Sequence, residues 1–474
     1  MISFLLNSCD SEKKLQKLKK PNILFIMADD LGWKDVGCMG SKYYETPNID
    51  RLASQGKIFT DAYTCAPNCA PTRACLVSGQ YSPRHGLYTV RTAVRGVDSL
   101  RKLVPVENRK FVNNKPVLDT SVVTIAETLK RNGYVTAHIG KWHLGGPPYY
   151  CPESQGFDIN IGGGHGGHTG QWESPKPYFS PYNNPTLEDG PEGEYLTDRL
   201  TEEAVSFIEN NQDNPFFLYL PYYSPHSPHR AKEQEIEKFK KKEPWNGHNE
   251  PVYAAMIHSV DRGVGRLMKI LEQLNLKKET MVIFYSDNGG VGGYREDSIN
   301  WWSITSQKPL RGGKGMFYEG GIRVPLVICW PGKIKPGSIC NTPVISVDFY
   351  PTFLEIAGIA KNKRKILDGE SLLPLLTDRG SFSREAIYWH FPCYLEGREG
   401  TFRTCPVGVI RSDNFKLMEF FEDNRLELYN LKDDPNEQNN LALDKRYQEK
   451  LNEMKAELKW HLMKVPGTFA EFKG

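Results

Sequence analysis

Apolar residues fall along this chain in two alternating patterns. In NILFIMADD (Asn22 to Asp30), YVTAHIGKWH (Tyr134 to His143), PFFLYLPYYSPHSPH (Pro215 to His229) and MVIFYSDNGG (Met281 to Gly290), a short apolar run is followed at once by polar residues of chemical type. Runs of this length bounded by turn residues predict buried strands. Between them, TPNIDRLASQG, SVVTIAETLKRNG and YAAMIHSVDRGVGRLMKILEQL carry apolar positions at helical spacing. Strand and helix alternate, which predicts an α/β class with a mixed, mainly parallel sheet flanked by helices. Such sheets bind ligands beyond the carboxyl ends of their strands, so the polar clusters should converge on one rim.

After about residue 372 the pattern changes. AIYWHFP, VGVIRSDNFKLMEFF and RLELYNL have hairpin spacing, and RYQEKLNEMKAELKWHLM is an amphipathic helix that should pack on their sheet. The expected organisation is an N-terminal tether over 1–19, a catalytic domain over 20–372 and a small antiparallel α+β domain over 373–474. A chain of 474 residues exceeds the usual single-core size, in keeping with that division.

The 60 basic and 57 acidic residues are spread throughout and give a net charge of +3, which does not point to a nucleic-acid partner. No run of 18 apolar residues exists to span a membrane. The start, MISFLLNSCDSEKKLQKLKK, reads either as a disordered tail or as a segment resembling a bacterial lipoprotein signal. In the second reading Cys9 carries the lipid anchor, and the protein is periplasmic or anchored in the outer membrane. Ten cysteines without a CxxC pair do not form a zinc site or a disulfide scaffold. In an oxidising compartment, Cys329 with Cys340 and Cys393 with Cys405 are candidate bridges.

The polar clusters are chemically complementary. Asp29-Asp30 and Asp287-Asn288 offer hard oxygen ligands suited to Ca²⁺ or Mg²⁺. Alone, either pair reads as a turn or cap; two pairs, each ending an apolar strand, favour a metal site. Lys141 and His143, in GKWHLG, lie two residues apart and face one side of an extended segment. His226 follows the third strand, and Lys314 sits in RGGKGMFYEGGIRVP. A hard cation with fixed positive side chains suits a tetrahedral oxyanion, sulfate or phosphate. In CAPNCAPTRACLVSG, Cys69 precedes Pro71 and a helix-compatible run, which puts it at a helix N-terminus with Arg73 one turn on. Cys65 has a Cys-Ala-Pro of its own but no arginine at that offset, and Cys75 is expected to pack inside.

Cys69-Ala70-Pro71-Thr72-Arg73 and the residues to Gly79 resemble the signature of the type I, formylglycine-dependent sulfatases of the alkaline phosphatase superfamily. GKWHLG, the strand-ending Asp29-Asp30, SDNGG, GKGMFYEGGIRVP and LYNLKDDPNEQNNLA resemble its other blocks, in order, from about residue 20. The resemblance implies that a formylglycine-generating enzyme oxidises Cys69 to an aldehyde, whose hydrate attacks sulfur and expels the alcohol. The second hydroxyl then deprotonates, the aldehyde reforms and sulfate leaves. It implies one Ca²⁺ held by Asp29, Asp30, Asp287, Asn288 and an oxygen of modified Cys69. Arg73 would hold the hydrate, Lys141 would bridge it to the sulfate, and His143 would serve the elimination. Lys314 and His226 would bind sulfate and help protonate the leaving oxygen.

The loops between these blocks choose the substrate. INIGGGHGGHTGQW carries His165 and His168, GYREDSINWWSITSQ carries Tyr294, Arg295, Trp301 and Trp302, and YSPRHG carries Arg84 and His85, expected to reach the mouth. The first two loops read equally as structural elements or as walls that contact a sugar. The polar, aromatic set suits a sulfated carbohydrate, with a carrageenan- or agar-type galactan first. Phosphonate monoester or phosphodiester hydrolysis and a catalytically silent glycan-binding protein stand as rivals.

Overall fold

The computed structural model describes residues 20–90, 114–295, 300, 303–396 and 402–465. Cys9 and the Trp301-Trp302 pair lie outside the described residues. The strands are β1 Asn22–Ala28, β2 Lys57–Phe59, β3 Ala62–Tyr63, β4 Val135–Ile139, β5 Ile159–Ile161, β6 Phe216–Pro221, β7 Thr280–Ser286 and β8 Leu326–Cys329. They continue with β9 Ser338–Cys340, β10 Val344–Ile345, β11 Ala386–Phe391, β12 Leu395–Glu396, β13 Phe402–Thr404, β14 Val407–Ser412, β15 Phe415–Phe420 and β16 Arg425–Asn430.

The main sheet has eight strands in the order β5-β4-β6-β1-β7-β8-β2-β9. Its centre, β4-β6-β1-β7, is parallel, whereas β8 runs antiparallel to β7 and β2. The four chemistry-bearing segments of the sequence are these four neighbouring central strands. Being parallel, they deliver their following residues to one rim, as the α/β reading requires.

Every residue of β1 is buried, which explains its unbroken apolar run. Leu24, Ile26 and Ala28 enter the core under the helices Leu196–Asn210 and Pro251–Gln273. Ile23, Phe25 and Met27 enter the opposite core with the helices Cys69–Ser78, Ile125–Arg131 and Phe349–Ile356. The alternation is the strand's two-residue period. Phe25 meets the Phe349 ring edge-on at 4.8 Å, a contact worth about 1 kcal/mol beyond the area it buries.

The second sheet, β11-β14-β15-β16, is antiparallel and covered on both faces. The helix Gln448–Lys464 packs Met454, Leu458 and Leu462 against Ile410, Leu417 and Leu428. On the other face Trp389, Val409 and Met418 meet Tyr63, Phe317 and Ile322 of the large domain. A buried ion triad crosses this junction. Lys416 Nζ donates to Glu319 Oε1 at 3.0 Å and Glu437 Oε1 at 2.8 Å, while Glu437 Oε2 accepts the Glu319 N–H at 2.7 Å. No helix among the described residues is long and apolar enough to cross a membrane. Cys329, Cys340, Cys393 and Cys405 are free thiols, so neither bridge considered from sequence is formed.

Candidate active site

Two acidic pairs end neighbouring strands. Asp29 and Asp30 follow β1, and Asp287 and Asn288 follow β7; all four side chains are buried. At Asp30 the backbone turns left-handed, with φ 66°, a conformation that aspartate tolerates better than most residues. Asp30 N–H donates to Asp287 Oδ1 at 3.2 Å, and Asn288 Nδ2 donates to Asp30 Oδ1 at 2.8 Å. Carboxylate oxygens of Asp29, Asp30 and Asp287 lie within 4.8 Å of one another. Asp29 Oδ1 and Asn288 Oδ1 are buried and accept no hydrogen bond. Three clustered carboxylates and an amide oxygen, two of whose oxygens accept no hydrogen bond, form an all-oxygen donor set that fits a hard divalent cation.

Cations surround the cluster. Lys141 Nζ donates to Asp29 Oδ2 at 2.6 Å, and Lys314 Nζ to Asp30 Oδ2 at 2.6 Å. Arg73 is fully buried one turn into the Cys69–Ser78 helix. It gives Nε and Nη2 to Asp287 Oδ2 at 2.9 and 2.7 Å, and Nη1 to the Lys141 carbonyl at 2.6 Å. The sequence spacing therefore does put arginine and cysteine on the same site. Cys69 is the first residue of that helix, 2% exposed. Its sulfur, an Asp29 oxygen and a His226 nitrogen also lie within 4.8 Å of one another.

Burial and the opposing Asp287 push the Asp29 carboxyl well above the usual carboxylate range, against the pull of Lys141. Burial opposes ionisation of Asp30 too, yet Lys314, His226 and Lys141 outweigh it and hold that carboxyl below its ordinary value. Burial raises the Cys69 thiol, with Lys141 and Lys314 pulling the other way. His143 and His226 are held well below the ordinary imidazole range, first by burial and then by the neighbouring lysines. Both rings are thereby biased toward the neutral form.

The glycine-rich loop has a geometric explanation. His143 sits at φ 61°, and a Cβ on Gly167 would stand 2.6 Å from its Cε1 and Nε2. Only glycine lets that backbone lie against the imidazole. His168 stacks on His226 with ring centroids 5.9 Å apart and planes 4° off parallel. His165 is exposed beside Gly146. His226, not His229, makes the nearer approach, with Nε2 3.5 Å from Asp30 Oδ2.

Two expected residues do not reach the site. Arg84 and His85 follow the far end of the ten-residue Cys69–Ser78 helix, roughly 15 Å of helix from Cys69. Arg84 pairs with Asp368 at 2.7 Å, and His85 is buried with Nε2 3.4 Å from Cys75 Sγ. Cys75 packs inside, as expected. Burial raises it, but the Cys65 thiol and His85 hydrogen-bond to it and bring it down to about 5. Tyr294 is buried behind the Lys314 loop and donates to the Lys314 carbonyl at 2.8 Å; Arg295 is exposed, with Nη2 3.3 Å from the Asn436 carbonyl.

Sequence reasoning missed the support under Asp30. The Tyr253 hydroxyl lies 2.9 Å from the Asp30 carbonyl and 2.7 Å from Asp35 Oδ2, and Leu31 N–H donates to Ser286 Oγ at 3.2 Å. Asp35, five residues after Asp30 in DDLGWKD, was the available signal.

This geometry can be set beside that of known proteins. The sulfatase family profile matches residues 21–359, and a profile described as N-sulphoglucosamine sulphohydrolase, C-terminal, matches residues 313–464. A sulfatase of Formosa agariphila is 36% identical, covering 95% of this chain and 89% of its own. The N-acetylgalactosamine-6-sulfatase of Canis lupus familiaris is 31% identical over 76% of this chain and 68% of that protein. Among solved structures, Ps i-CgsB in complex with k-i-k-neocarrahexaose is 32% identical, with a TM-score of 0.75 and 96% of each chain covered. With an anion-binding rim of this composition and a family match along most of its length, the chain belongs to the sulfatase family and hydrolyses sulfate esters.

Proposed function

We propose that the chain removes sulfate from a sulfated carbohydrate of the carrageenan or agar type, with Ca²⁺ and a formylglycine derived from Cys69. The observation that carries the reading is the convergence of Cys69, three carboxylates, Lys141 and Lys314 on one rim. Asp29, Asp30, Asp287 and Asn288 would hold the Ca²⁺, which when bound supplies Lewis-acid polarisation of a sulfate oxygen. Formylglycine would supply, as its hydrate, two hydroxyls on one carbon, one to take up the sulfate and one whose deprotonation releases it, which serine cannot.

The remaining work falls to the chain's own side chains. Lys141 and Lys314 are set by their carboxylate partners where a sulfate's negative oxygens need compensation. Arg73 holds Asp287 in orientation with a paired donation that lysine could not reproduce. His226, neutral and beside Asp30, is placed to manage the proton of the departing alcohol. His143, pressed against Gly167 and within reach of the charges of Lys141 and Arg73, would serve the second proton transfer.

The galactan preference draws support from the similarity to Ps i-CgsB, whose structure is described with a bound neocarrahexaose. The test is sulfate release from defined sulfated oligosaccharides, with an aryl sulfate and a phosphodiester alongside. Release from galactan oligosaccharides is expected. Faster turnover of the phosphodiester, or release only from the aryl ester, would overturn the reading.

A further inference from the structure

The chain leaves β1 through a left-handed turn. Asp30 holds a φ of 66°, and its carboxylate is one of the three gathered on the rim. A residue other than glycine stays in that region only where its surroundings over-determine it. We propose that Tyr253, anchored by Asp35, is a positioning residue that holds Asp30 in this turn and so sets the affinity of the site for its cation. The inference rests on the reading of Asp29, Asp30, Asp287 and Asn288 as Ca²⁺ ligands.

Three successive main-chain N–H groups of the turn go to side chains. Asp30 donates to Asp287 Oδ1 at 3.2 Å, Leu31 to Ser286 Oγ at 3.2 Å and Gly32 to Asp35 Oδ2 at 2.9 Å. The Asp30 carbonyl is met by the Tyr253 hydroxyl at 2.9 Å. Asp287 and Ser286 belong to the end of β7 and so to the rim itself. Tyr253 comes from outside it, in the first turn of the helix Pro251–Gln273. Its hydroxyl also lies 2.7 Å from Asp35 Oδ2, so one proton bridges the carbonyl and the carboxylate.

Asp35 is itself pinned. Thr305 Oγ1 donates to its Oδ1 at 2.8 Å, and its N–H donates to the Gly32 carbonyl at 3.0 Å. A Cβ on Gly32 would stand 2.7 Å from Asp35 Oδ2, so glycine is what lets the carboxylate fold back onto the turn. Tyr253 and Asp35 are both buried, and there a lost partner is not replaced at no cost by bulk water. The contacts of the Asp30 carboxylate with Asn288 Nδ2 and Lys314 Nζ grip the side chain, not the backbone. Rotation about the Asp30 backbone would swing that carboxylate relative to Asp29 and Asp287. Tyr253 touches Asp30 only at the main-chain carbonyl, so its effect belongs to cation affinity and not to the proton transfers.

Ca²⁺ itself is the probe, titrated calorimetrically into the metal-free full chain. Tyr253→Phe, which keeps the ring, and Asp35→Ala are each expected to weaken binding by about 10–100-fold. Sulfate release by both variants should recover as Ca²⁺ is raised to saturation. Asp35→Asn keeps an acceptor for the Tyr253 hydroxyl and should restore most of the affinity. Tyr44→Phe is the control: the Tyr44 hydroxyl donates to Thr305 Oγ1 at 3.0 Å, one step further from Asp30, and its loss should leave Ca²⁺ affinity at the parent's value. Ser286→Ala frees the Leu31 N–H and should also weaken binding, which keeps the test open if Tyr253→Phe folds poorly. Parental affinity in Tyr253→Phe, or an equal loss in Tyr44→Phe, overturns the positioning role alone. No Ca²⁺ binding by the unsubstituted chain overturns the cation site and the positioning role together.

Discussion

Replacing Lys416 with methionine tests how the C-terminal sheet supports the site. Lys416 is the cation of a fully buried triad, and its loss leaves Glu437 without a cation and Glu319 with Arg323 and the Tyr63 hydroxyl alone. Removing one partner from a buried ion pair costs about 3–5 kcal/mol. Unfolding entropy near 2 cal/mol/K per residue gives a chain of 474 residues roughly 1 kcal/mol per degree, so Tm should fall by about 3–5 °C. Glu437, whose carboxyl burial already pushes up to about 7, can relieve part of that cost by holding a proton. The loss should therefore be smaller at pH 6 than at pH 8. Glu319 stands five residues after Lys314 on the loop that Gly320 N–H closes onto the Arg311 carbonyl at 2.8 Å. A shift of about 1 Å in the lysine would lower kcat by up to ~100-fold. Scanning calorimetry at both pH values, with sulfate release at saturating substrate, reads both effects. Adding Glu437→Gln to Lys416→Met removes one buried charge and should recover about half of the stability. A Tm within about 1 °C of the parent together with unchanged kcat would refute the reasoning.

Cys69→Ala should abolish sulfate release while the circular dichroism spectrum is retained; residual turnover above about one part in a thousand would contradict the nucleophile assignment. Asp287→Asn should weaken Ca²⁺ binding in a calorimetric titration and also lower Tm, because Arg73 loses its carboxylate partner. Ca²⁺ affinity equal to the parent's would exclude Asp287 as a ligand. For pH, the folded chain keeps a proton on Glu437 up to about 7 that the unfolded chain releases near 4.5, so this group lowers stability as pH rises through that window. Glu437→Gln should flatten the fall in Tm between pH 5 and 8, and an identical slope would disprove the origin of the shift. Arg84→Ala breaks the Asp368 pair and should cost about 1–3 kcal/mol of stability, with less effect on kcat/KM than on Tm. A large loss of activity in a stable variant would return Arg84 to the site.

The strand-end residues were legible because their chemistry follows each apolar run without a gap, and parallel pairing then brings the ends together. Cys69 and Arg73 were legible because one helical turn sets their relation. Arg84 and His85 misled because closeness to the signature in sequence became distance along its helix. The roles of Lys416 and Glu437 depend on a sheet that folds back onto the Lys314 loop from about a hundred residues away, and no local pattern encodes that docking. The glycine-rich loop read equally as a flexible loop or a substrate-contacting wall; the cause of Gly167 lies in His143 packed against it.

The helix that begins at Cys69 has all ten residues buried. That seclusion sets an order of events. An enzyme that alters the Cys69 side chain needs both the side chain and its flanking backbone, and the folded protein presents neither. The conversion proposed for Cys69 would therefore have to happen on the nascent or unfolded chain, in competition with the folding that hides it. A molecule that folded first would keep its thiol. The active fraction of a population would then record how that race was run during synthesis, and supplying the modifying enzyme to the finished protein would not raise it.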